Sequence, residues 1–82
     1  MKKYYANATA NGKTYLATVT DFENGTCSEQ IVKSGGWGGV TLAEADFPTA
    51  NLGGASKTAY ARSILASAIF KDANTKEIQW RS

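Results

Sequence analysis

The pair Asn11-Gly12 constrains this chain more than any other feature. It stands between two runs rich in Tyr, Thr, Val and Ala, Lys2–Ala10 and Lys13–Phe22. A type I′ turn needs positive φ at both central residues, and Asn-Gly meets that need at little steric cost. A two-residue loop then fixes the register. Ala8 faces Tyr15, Ala6 faces Ala17 and Tyr4 faces Val19, so one side is wholly apolar or aromatic. The other side pairs Thr9 with Thr14, Asn7 with Leu16, Tyr5 with Thr18 and Lys3 with Thr20. A slip of one residue would mix the two sets, so the hairpin has a core face and an outer face.

A second pair, Asn24-Gly25, leads into a third strand, Thr26–Ser34. Here two registers compete. A two-residue loop sets Ala17 against Val32, Thr18 against Ile31 and Phe22 against Cys27, which turns Ile31 outward. A three-residue loop with a bulge turns Ile31 toward the core instead. The sequence leaves both open.

The stretch VKSGGWGGVT, Val32–Thr41, puts four glycines around Trp37. Glycine makes ordering a loop costly, so the stretch is read as a sharp bend that brings Trp37 to the core or to a partner, at least half buried in either case. Thr41 and Glu44 stand at capping-box spacing and Pro48 follows, which predicts a short helix over Leu42–Phe47. Ser56 is a good N-cap for a longer helix, Lys57–Lys71, with Ala61, Ile64, Leu65, Ala68 and Ile69 on one stripe and Tyr60 at its border. A last strand, Lys76–Arg81, carries Ile78 and Trp80 on one side. It is expected to pair beside the first strand and to bury Trp80.

The expectation is a single α+β domain over residues 1–82, in the order βββααβ. It comprises a three-stranded antiparallel meander, a short helix, a longer C-terminal helix packed on one sheet face, and a short final strand.

Composition limits the chemistry. With 82 residues the chain can hide only about 60–65% of its unfolded surface, enough for one modest core. The net charge of +2 is too slight to argue for nucleic acid by itself. The single cysteine, Cys27, excludes an internal disulfide and suits a reducing cytoplasm. The opening MKKYYANATANGK has two lysines but no apolar run after them, so neither secretion nor membrane insertion is expected. Asn7-Ala8-Thr9 and Asn24-Gly25-Thr26 match the glycosylation pattern but read as strand and turn residues.

There is no histidine, which removes the commonest general base and the commonest zinc ligand together. Cys27 has no partner to activate it and reads as structural. None of the seven carboxylates sits in an apolar run that would raise its pKa. The segment NLGGASKT, Asn51–Thr58, looks like the tail of a phosphate-binding loop. It lacks the pattern's glycines, having Asn51 and Ser56 in their places. The expectation is a protein that is not an enzyme and needs no cofactor or metal.

The outer face is more suggestive. Tyr5, Asn7, Leu16, Thr18 and Ile31 form a semi-apolar strip rimmed by Lys3, Lys33 and Glu29, a composition suited to protein contact. All of these except Glu29, together with Trp37, are the candidate partner-binding residues. A homodimer through the same face would also satisfy the pattern. The alternative is single-stranded nucleic acid, with Tyr4, Tyr5 and Tyr15 stacking on bases and Lys2, Lys3, Lys13 and Lys33 near phosphates.

In length, in its lack of catalytic residues and in its tight Asn-Gly hairpins with one or two helices, the chain resembles the small accessory proteins of bacteriophages and mobile elements, anti-CRISPR proteins among them. The resemblance implies inhibition by occlusion, a small rigid domain covering the working surface of a larger machine.

Overall fold

A computed structural model describes residues 1–35 and 38–81 of the chain. The elements are β1 (Lys2–Ala10), β2 (Lys13–Asp21), β3 (Thr26–Ser34), β4 (Gly39–Pro48), a 3-10 turn (Thr49–Leu52), α1 (Lys57–Ala73) and β5 (Gln79–Arg81). The strands form one sheet in the order β4-β3-β2-β1-β5, and every neighbouring pair is antiparallel.

The first hairpin follows the turn chemistry. Asn11 and Gly12 take φ of 51° and 73°, and the register runs from Lys2 opposite Asp21 to Ala10 opposite Lys13. Ala6, Ala8, Tyr15, Ala17 and Val19 are buried on one side of it, and Tyr4 is half-buried beside them.

The second hairpin takes the three-residue loop. Phe22 N–H donates to Thr26 O at 3.2 Å, leaving Glu23, Asn24 and Gly25 as the loop. Asp21 opposes Cys27 and Ala17 opposes Ile31. The loop is held by its own side chains. Glu23 N–H donates to Asp21 Oδ1 at 2.8 Å, and Thr26 N–H donates to Asn24 Oδ1 at 3.1 Å. Gly25 takes a φ of 91°, which a side chain would resist. This register turns Ile31 into the core, where it is 3% exposed, and corrects its placement on the outer strip.

Leu42–Phe47 is part of a strand, not a helix. Six residues make a marginal helix, and helical capping offers nothing that outweighs pairing along a whole edge. Β-pairing joins β4 to β3 from Thr26 opposite Pro48 to Ser34 opposite Gly39, interrupted once between Ile31 and Val32, where Leu42 is the extra residue. Ala43, Ala45 and Phe47 alternate with Glu44 and Asp46, and Phe47 lies opposite the buried Cys27.

α1 is two residues longer than its sequence suggests, ending at Ala73 rather than Lys71. Ala59 N–H donates to Ser56 Oγ at 3.0 Å, capping the start. Asn74 closes the helix in the left-handed region, its N–H donating to Phe70 O at 2.9 Å. Ala61, Leu65 and Ile69 are buried, with Tyr60, Ile64 and Ala68 packed against the same core. The helix lies over β1 and β2 and only grazes β3. The alanines of β1 and β2 allow that close approach.

β5 pairs beside β1 as expected but spans only Gln79–Arg81 rather than Lys76–Arg81, setting Thr9 opposite Gln79, Ala8 opposite Trp80 and Asn7 opposite Arg81. Trp80 is not buried, however. It keeps 38% of its surface exposed, because this edge strand lies at the margin of α1 and the Arg62 guanidinium, 4.5 Å from the ring centroid, covers it in place of apolar side chains. Trp37 lies outside the described residues. Among the described residues no helix is long and apolar enough to cross a membrane.

Candidate docking face and its open edge

The hairpin register sends Lys3, Tyr5, Asn7 and Thr9 of β1, and Thr14, Leu16, Thr18 and Thr20 of β2, to the side away from the core residues. β3 continues this face with Ser28, Gln30 and Val32. α1 packs on the opposite side, and among the described residues no second element lies over this one. Tyr5 is 54% exposed and Leu16 36%. Tyr5 opposes Thr18 and Asn7 opposes Leu16, so Tyr5 and Leu16 are diagonal neighbours within reach of each other.

Five of the candidate residues therefore share the face: Lys3, Tyr5, Asn7, Leu16 and Thr18. Ile31 and Lys33 do not. Ile31 is in the core, and Lys33 points to the helix side, where its Nζ donates to Asp72 Oδ2 at 3.1 Å. Glu29 also leaves the rim, accepting the Tyr60 hydroxyl proton on that side. All three follow from the three-residue loop, which reverses the facing of β3. Trp37, the remaining candidate, lies outside the described residues.

The helix side holds the polar groups that tie the layers together. Tyr15 donates its hydroxyl to Asp72 Oδ2 at 2.7 Å from beneath the helix. That hydrogen bond, then the Lys33 ammonium, holds the Asp72 carboxyl below the usual carboxylate range. Burial, followed by the Asp72 contact, pushes the Tyr15 phenol up to about 12. Burial and then Glu29 raise Tyr60 likewise to about 12. Cys27 is buried, its Sγ 3.2 Å from Thr49 Oγ1. At the glycine-rich turn Ser56 caps α1, while the Lys57 Nζ sits 3.6 Å from Asp21 Oδ2 and 5.5 Å from the centroid of the Tyr4 ring.

A cleft of about 390 Å³ opens where β5 stops along β1. Tyr5, Asn7 and Leu16 reach it from the outer face, Arg62 and Trp80 from the helix side, and Arg81 from the end of β5. Asn7 Oδ1 is buried there without a hydrogen-bond partner. Arg62, Trp80 and Arg81 were not among the candidate site residues in the sequence. Their one signal in the sequence was Trp80 beside Arg81 on the last strand, which reads equally well as ordinary surface, and nothing local ties Arg62 to them. A second groove, of about 480 Å³, lies between α1 and β4 and is lined by Ile31, Leu42, Ala43, Ile64 and Ala68. Glu29 and Asp72 at its rim are already engaged by Tyr60, Tyr15 and Lys33.

Among the described residues Lys3, Arg62 and Arg81, near the β1 and β5 edge, have no carboxylate within 4.0 Å, and neither Glu77 just before β5 nor Glu44 and Asp46 on β4 has a cation within that distance. Comparison with protein families, with curated proteins and with solved structures finds no match to this chain.

Proposed function

We propose that this chain is a small, non-catalytic inhibitor or adaptor that binds a protein complex through its outer sheet face and acts by occlusion. The observation that carries the reading is the exposed diagonal pair Tyr5 and Leu16 on a face that α1 leaves uncovered. An aromatic and an aliphatic side chain amid Thr, Asn and Gln, with Lys3 at the rim, is the composition of a contact patch. The absence of histidine from the sequence, the burial of Cys27 and the engagement of Asp72 and Glu29 by tyrosines support a binding role over a chemical one. The resemblance to phage and mobile-element accessory proteins of the anti-CRISPR type points to a large defence assembly in the cytoplasm as the target.

The nucleic-acid alternative is weaker on the positions of the tyrosines. Tyr15 is fully buried and Tyr4 lies on the core face under Lys57, so of the three proposed stacking rings only Tyr5 is turned outward. Capture from a bacterial lysate tests the proposal. The wild type is expected to retain a set of proteins that folded Tyr5→Ala and Leu16→Glu variants lose. If both variants fold and keep every protein, the face is irrelevant and the reading fails.

A further inference from the structure

We infer that the open edge of β1 accepts an acidic, extended segment of the partner protein by strand addition, with the cleft beside β5 as its anchoring point. The inference rests on the protein-binding reading above and names what the partner must offer. β5 pairs with Asn7, Ala8 and Thr9 only, so among the described residues Lys2–Ala6 has no strand on that side. Such an edge presents unpaired N–H and C=O groups that a passing strand can satisfy. The cleft lies directly in line with it.

Two features of the edge select the occupant. Lys3, Arg62 and Arg81 flank it without a carboxylate within 4.0 Å among the described residues, which favours an acidic segment. Tyr5 and Trp80 supply half-exposed rings on the two sides of the strand, places where alternate side chains of an added strand would rest. A basic or wholly apolar segment would use only part of this arrangement.

A second copy of the chain could offer β4, whose Glu44 and Asp46 are acidic. β4 of one copy on β1 of the next is a head-to-tail contact, which closes into a ring or runs on as a filament. Either would make the free protein assemble as its concentration rises, and a partner segment fits without that consequence.

The test uses the full chain, isotopically labelled, titrated with a blocked eight-residue peptide of alternating Glu and Thr and followed by amide NMR. The expected result is saturable shifts at Lys2–Ala6 with increased exchange protection there, and affinity that falls about tenfold or more in Arg62→Ala/Arg81→Ala. The same peptide N-methylated at alternate residues keeps its charge but loses the donors, and is expected not to bind. Equal binding of the methylated peptide would reduce the effect to charge attraction and overturn strand addition. So would an absence of shifts at about 1 mM peptide, or concentration-dependent oligomers of the free protein that the peptide dissolves. A silent titration while Tyr5→Ala and Leu16→Glu still lose the captured proteins overturns this inference alone. Capture that survives both face variants overturns the broader reading.

Discussion

Asp72 shows how single side chains hold the two layers together. It lies near the end of α1, yet it accepts the hydroxyl of Tyr15 from β2 and the ammonium of Lys33 from β3. Changing Tyr15→Phe keeps the ring in the core and deletes the link to Asp72, and should cost about 1–2 kcal/mol in chemical denaturation, as expected for a hydrogen bond to a charged group in partial contact with water. The phenols also predict a pH effect. Tyr15 and Tyr60 are raised from 10.0 to about 12 on folding, so their contribution is complete below pH 10 and is lost as pH climbs through about 12. A urea midpoint measured across that range should fall more steeply in the wild type than in Tyr15→Phe/Tyr60→Phe. Trp80 is the residue for which sequence and structure part most clearly. Its ring reads as core, but no residue pattern says that α1 covers β5 with Arg62 rather than with apolar groups. With 38% of its surface exposed, Trp80→Ala should cost about 1–2 kcal/mol in a thermal melt, below the ~3–5 kcal/mol typical of a fully buried Trp.

At the scale of elements, legibility followed agreement between local and distant signals. In the first hairpin the turn residues and the two-residue alternation say the same thing, so register, core face and outer face can all be read from the chain. α1 is legible for the same reason, because its cap at Ser56 and its Ala61, Leu65 and Ile69 stripe agree. β4 is not, because two local signals compete there. Thr41 and Glu44 imitate a capping box, while Ala43, Ala45 and Phe47 alternate with Glu44 and Asp46 as a strand would. Pairing with β3, a contact the local sequence does not contain, decides between them. The second hairpin was ambiguous in loop length alone, and that one residue moved Ile31, Lys33 and Glu29 off the outer face. Alanine substitution checks the register directly. Ile31→Ala should cost about 2–5 kcal/mol and Val32→Ala no more than about 1 kcal/mol, as for a core and a half-exposed position. The two-residue loop would reverse that order.

The fold is a five-stranded sheet with one helix on one side, and among the described residues no element covers the opposite side, where Tyr5 and Leu16 are exposed although Thr20 is buried. Much of the candidate site was legible because it depends on the first hairpin. The edge cleft was not, because it arises where a three-residue strand ends beside a nine-residue one. The central claim is that recognition runs through the uncovered sheet face. Hydroxyl-radical footprinting of the free protein and of its complex with the captured partner tests it most directly. Tyr5 and Leu16 report on the sheet face, and Phe70, 45% exposed on α1, reports on the helix. Tyr5 and Leu16 should lose their labelling in the complex while Phe70 keeps it; protection of Phe70 with Tyr5 and Leu16 labelled as before would place recognition on the helix side instead.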